Sequence, residues 1–246
     1  MQSISRSFDH ELVQEAQRIN AFQSNVAGAV CQSCNAGWMS GLETSVAHVV
    51  KKLIAGSLEF NRVSPADRIA LARWACKIAY CWDLSLNNPS RVSPDHPKAL
   101  YANTANLPDR VVVFGALSPI STPIDLVSDV SWIVGDFPAQ RLGELDEDIH
   151  ASYKYAMQFG HMVLLVVYWP NPEFILGFMP EYVTPIWIPQ DRYMPGYPEF
   201  RPVFADSRQF LECMTKSIDL YPRESQGGIV GNTPLIGRPV PRRHVS

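Results

Sequence analysis

Cys31 and Cys34 stand three residues apart in the stretch Val30-Cys31-Gln32-Ser33-Cys34-Asn35-Ala36-Gly37-Trp38. Thiols at this spacing can share one tetrahedral zinc ion, because the intervening turn aims both sulfurs the same way. The stretch reads as a strand end over residues 25–30, a tight Asn-Ala-Gly turn, and then an amphipathic helix. A structural zinc needs four ligands, and the chain has no second Cys-x-x-Cys. His48, on the following helix, is a candidate third ligand. The remainder must come from elsewhere in the chain or from a partner; the competing reading is two free thiols in a turn. Cys76 and Cys81 are five residues apart, about 140° around a helix, and cannot both reach one ion. They and Cys213 read as core cysteines.

A second cluster is basic. Lys51, Lys52, Arg68, Arg73 and Lys77 could form a phosphate-contacting face, against the plainer reading of solvated helix sides. No glycine-rich phosphate loop, His-Glu-x-x-His or Gly-x-Ser-x-Gly is present, which leaves those catalytic classes without a motif. Asp146, Glu147 and Asp148 read as an acidic surface loop. Trp38 and Trp74 read as core anchors rather than base-stacking platforms.

The bulk properties set limits on partners. At 46% hydrophobic and 18% charged residues, most of the 246-residue chain is expected to fold around a core. A net charge of −3 gives no overall attraction to nucleic acid, so any such contact needs a local basic patch. Five cysteines, an odd number, fit a reducing compartment better than a disulfide framework. The N-terminus lacks an apolar run, and residues 162–169 are too few to span a bilayer as a helix. The expectation is a soluble, cytoplasmic protein with no membrane partner.

Several elements must position these residues. Apolar residues at Leu42, Val46, Val49, Val50, Leu53 and Ile54 recur at helical spacing, with Gly56 as a stop. Ser64-Pro65-Ala66-Asp67 is a helix start, and the helix it opens, over 65–84, is apolar on nearly every face and should lie centrally. Shorter helices are expected over 9–20, 98–103 and 206–218. Runs rich in Val, Ile and aromatics over 110–117, 127–134, 153–159, 161–169, 173–179 and 183–188 read as strands of an antiparallel sheet, with Gly160 as a tight hairpin turn. The fold class is therefore α+β: a helical part with a zinc-knuckle-like turn (1–107), a mainly antiparallel sheet with a C-terminal helix (108–222), and a basic tail (223–246).

From Cys31-Gln-Ser-Cys34-Asn35 through Gly37-Trp38-Met39-Ser40 to Leu42-Glu43, the sequence resembles a group of bacterial HNH-endonuclease-like proteins. There a Cys-x-x-Cys-Asn-x-Gly-Trp-Met-Ser-x-Leu-Glu signature closes a zinc-bound ββα unit. The resemblance continues in Trp74-Ala75-Cys76-Lys77, similar to that group's Trp-Ala-x-Lys helix. It implies zinc on Cys31 and Cys34. It also implies DNA phosphodiester hydrolysis, with a His as general base and Mg²⁺ or Mn²⁺ on the phosphate. The residues before Cys31 hold no cysteine, and Asp9-His10 is their one acidic-His pair, which makes His10 the candidate base. The chain resembles the C-terminal portion of such a protein, in need of upstream residues or a partner for activity. The rival reading is a non-enzymatic interaction or scaffold domain, a homodimer included, using the Pro- and aromatic-rich region from Trp169 to Phe204. A nucleic-acid-binding module without chemistry is the third.

Overall fold

The computed structural model describes residues 30–85, 90–129, 133–134, 146–178, 183–189 and 218–222. His10, the expected helix over 9–20, Cys213 and the 223–246 tail lie outside these residues, as does the helix over 206–218 except that Ile218 opens a strand.

Among the described residues the longer helices are α1 (Ser40–Ile54), α2 (Pro65–Ser85) and α3 (Asp95–Ala102), with the shorter α4 (Asp146–Ala151) later in the chain. The strands are β1 (Val111–Asp129), β2 (Ile133–Val134), β3 (Tyr153–Tyr168), β4 (Phe174–Phe178), β5 (Thr184–Trp187) and β6 (Ile218–Pro222). One sheet has the order β3-β1-β5 and is antiparallel throughout; in the other, ordered β2-β6-β4, β6 runs parallel to β2 and antiparallel to β4. The protein is α+β. Among the described residues no helix is long and apolar enough to cross a membrane.

The helix boundaries follow from local chemistry. Ser64 Oγ accepts the Asp67 N–H at 3.2 Å and donates to the Asp67 carboxylate at 2.7 Å, a reciprocal cap at the start of α2. At the end of α1, Gly56 takes φ +66°, while its N–H reaches Leu53 O at 3.0 Å and the Ser57 N–H reaches Lys52 O at 2.9 Å. This is a Schellman stop, a conformation for which glycine lacks the Cβ penalty. The apolar stripe of α1 (Leu42, Val46, Val49, Val50 and Leu53) is buried as its periodicity predicts. α2 is buried on every face, from Leu71 through Asp83. It packs on α1, α3, β1, β3 and β5. One hydrophobic core therefore unites residues such as Val46, Leu71 and Leu100 with Val113, Leu164 and Ile186, so the change of texture near residue 107 falls within a shared core.

Two strand expectations are corrected. The run over 110–117 and the first residues of the run over 127–134 belong to one strand, β1, which continues through Pro119 and Pro123 and ends at Asp129, while Ile133 and Val134 form β2 in the other sheet. Its pairing with β3 shifts register between Leu117 and Thr122 and again between Thr122 and Asp125. Proline has no N–H to give the ladder and is tolerated at such irregularities. Gly160, read as a hairpin turn, instead lies inside the continuous strand β3 and pairs with Thr122 at the irregularity. Its φ is +57°, and a Cβ there would sit 2.8 Å from Ile54 O. The glycine lets the C-terminus of α1 seat against β3.

A polar network crosses this core. Tyr153 Oη lies 2.8 Å from His96 Nδ1 and 3.1 Å from Tyr80 Oη. The His96 ring also meets Tyr168 edge-on at 4.5 Å between centroids. Asp83 accepts hydrogen bonds from Tyr155 Oη and Ser90 Oγ and from the Arg91 and Val92 N–H groups. Burial holds His96 below its ordinary imidazole value against the opposing fields of Asp95 and Asp109.

Two outcomes test this account. Gly160→Ala should cost about 2 kcal/mol or more in urea unfolding, since it adds left-handed strain to a backbone clash; an unchanged midpoint would refute the close approach. His96 is neutral in the fold, so as pH falls below 6.5 the unfolded chain binds more protons and stability must decline, by at most about 1.4 kcal/mol per pH unit from this group. His96→Gln should flatten that slope between pH 6.5 and 5; an identical slope would assign the acid sensitivity elsewhere.

Candidate metal and nucleic-acid site

Cys31 is extended, with φ −64° and ψ 146°, and it caps the helical turn Gln32–Cys34. Its sulfur accepts the Cys34 N–H at 3.2 Å and lies 3.3 Å from Ser33 Oγ, while its carbonyl accepts the Asn35 N–H at 3.0 Å. The sulfur thus occupies the place usually taken by a Ser or Asp oxygen. The expected tight turn is corrected: Asn35–Met39 is a π-helical segment whose Asn35 carbonyl accepts the Ser40 N–H, and the chain departs from helical angles at Gly37 before entering α1. These hydrogen bonds carry the chain helically from Cys31 onward, so the thiols sit in a first helical turn; the expected strand over 25–30 lies outside the described residues except for Val30.

The two thiols are not equivalent. Cys31 is exposed and Cys34 partly covered. Hydrogen bonding from the Cys34 thiol, then from Ser33 and the Cys34 N–H, lowers Cys31 to about 7. Cys34 is raised, mainly because its proton serves Cys31 and secondarily by burial; a hydrogen bond from Trp38 works the other way. Cys76 and Cys81 lie in the core, where burial pushes Cys76 up to about 12 and raises Cys81 as well.

The other candidate ligand does not join the pair. His48 lies fourteen residues beyond Cys34, within α1 and past the break at Gly37, and its Nε2 is 3.3 Å from Asp67 Oδ1. Among the described residues no three His, Cys, Asp or Glu side chains gather to hold a metal. Cys31 and Cys34 fit two corners of a tetrahedron; the described residues supply no others.

The basic face also divides. Lys51 and Lys52 are exposed in the last turn of α1. Arg68 donates to Val63 O at 3.1 Å and Asn61 O at 3.0 Å. Arg73 is buried and donates to Leu100 O at 2.7 Å and Thr104 O at 3.4 Å, tying down the end of α3. Lys77 is buried against the Glu43 carboxylate. The structure therefore commits Arg68, Arg73 and Lys77 to internal bonds and leaves Lys51 and Lys52 as the exposed cations of the five. The acceptors of Arg68, Arg73 and Lys77 were invisible to local spacing because they lie five to thirty-four residues away.

The aromatic residues act as the sequence suggests. Trp74 packs on Phe159 at 5.6 Å and Trp38 on Tyr101 at 5.9 Å between centroids, both against the core. The first part of the proposed interaction region is interior: Trp169, Phe174, Val183 and Ile186 are buried. The expected acidic loop is corrected: Asp146, Glu147 and Asp148 open α4, and Asp148 accepts from Asn171 Nδ2 at 2.8 Å.

No protein-family model matches this chain, and no curated protein or solved structure is significantly similar to it.

Iodoacetamide alkylation, followed by peptide mass mapping across pH, should label Cys31 with a midpoint of about 7 and Cys34 only at higher pH. Cys34→Ala removes the largest contributor, so the Cys31 midpoint should rise. Equal labelling of both thiols across the range would overturn the asymmetry.

Proposed function

We propose that this chain is the body of an HNH-endonuclease-like protein, with Cys31 and Cys34 supplying two of the four ligands of a structural zinc. The observation that carries the reading is the thiol pair in one helical turn, Cys31 exposed and Cys34 partly covered, drawn together by the Cys34 N–H to sulfur bond. The Glu43–Lys77 pair supports it, because it joins the two separate stretches on which the resemblance rests. The remaining ligands, and a His base such as His10, would come from outside the described residues or from a partner chain. Zinc would hold that assembly together, and Mg²⁺ or Mn²⁺ would stabilise charge on the phosphate. Lys51 and Lys52 would meet the DNA backbone. A reduced thiol pair suits a cytoplasmic setting.

The second reading is a non-enzymatic interaction domain, a homodimer included. It is favoured by the exposed Tyr101, 62% accessible, beside Trp38.

Metal analysis and plasmid cleavage separate the two. The nuclease reading expects bound zinc that is lost in Cys31→Ser and in Cys34→Ser. It also expects nicking with Mg²⁺ or Mn²⁺ that falls in His10→Ala and in Lys51→Glu/Lys52→Glu. Folded, zinc-free, inactive protein would reject it in favour of the interaction domain, and nicking unchanged in His10→Ala would remove His10 as the base.

A further inference from the structure

We infer that Cys31 and Cys34 form a redox-active dithiol, with Cys31 the attacking and Cys34 the resolving sulfur in exchange with a low-molecular-weight disulfide. The inference goes beyond the nuclease reading and concerns the chain free of metal.

The geometry is that of a turn made to close a disulfide. The Cys31 carbonyl accepts the Asn35 N–H at 3.0 Å, so residues 31–35 complete a helical turn, which sets Cα atoms three residues apart at about 5 Å. That lies inside the window of roughly 4.4–6.8 Å that a disulfide spans. The Cys31 sulfur already leans over the turn, 3.2 Å from the Cys34 nitrogen. Both are free thiols in the structure. Little backbone movement therefore separates dithiol from disulfide.

Accessibility sets the order of events. Cys31 is exposed to solvent, whereas Cys34 is partly covered. An incoming disulfide RS–SR meets Cys31 first. The Cys31 sulfur attacks one sulfur of RS–SR, forms the mixed disulfide Cys31–S–SR, and its proton leaves on the first RSH. Cys34 then attacks the Cys31 sulfur, forms the Cys31–Cys34 bond, and its proton leaves on the second RSH. Two protein thiols are oxidised by two electrons, and one RS–SR is reduced to two RSH. Cys76 and Cys81 take no part, because both are buried in α2.

The test uses the full chain stripped of metal by a chelator and exposed to glutathione disulfide, with adducts mapped by mass spectrometry. Wild type should yield the Cys31–Cys34 disulfide and no lasting adduct at either residue. Cys34→Ser should accumulate glutathione on Cys31, and Cys31→Ser should form far less adduct at Cys34. A persistent mixed disulfide on wild-type Cys31, or no reaction at all, would overturn the inference. Equal adducts on the two single variants would overturn the assigned order. Zinc content, measured separately on the untreated chain, tests the nuclease reading on its own.

Discussion

Burial of α2 on all its faces is the constraint from which most of the architecture follows. A helix whose residues from Leu71 to Asp83 lie in the interior must bring its charged side chains with it, and an unpaired charge there would be costly. Each one along its buried length is answered from a different element. Arg73 caps the carbonyl end of α3, Lys77 reaches Glu43 on α1, and Asp83 collects Tyr155 from β3 with the backbone at Arg91 and Val92. These bonds orient the neighbours of α2 as well as neutralising it. The His96–Tyr153–Tyr80 chain does the same for α3 and β3.

The same constraint decides which residues are left for chemistry. Arg73 and Lys77, attractive as a phosphate face when read from sequence, are consumed by the core. Two cysteines of α2 are consumed likewise. Among the described residues, the thiols that remain available are those that precede the buried helices, where Cys31 is exposed and Cys34 partly covered. The Glu43–Lys77 pair links this turn to the core through α1, so the position of the thiols is set by packing some distance from them.

What was legible in the sequence was local. The Ser64-Pro65-Ala66-Asp67 start, the Gly56 stop and the buried stripe of α1 each depend on contacts within a few residues, and each is where the spacing predicts. The buried character of α2 was legible too, because so few of its residues are polar. The misreadings in the sheet share one cause. Gly160 and the prolines of β1 carry local turn signals, yet the long pairing between β1 and β3 overrides them and absorbs each as an irregularity. The turn at Cys31 was misread because cysteine is not among the usual capping residues, although its sulfur performs that role here.

The fate of the cysteines shows how far environment, rather than residue type, sets chemistry. Cys76 lies in an apolar interior that holds its proton tightly, while Cys31 lies on a solvated turn whose hydrogen bonds favour the thiolate. Metal ligation and disulfide exchange both require that thiolate. They therefore compete for the same two sulfurs: a bound zinc would withhold the pair from oxidation, and a Cys31–Cys34 disulfide would deny zinc both ligands. A single turn of helix, fixed by one N–H to sulfur bond, is thus suited to either chemistry but not to both at once.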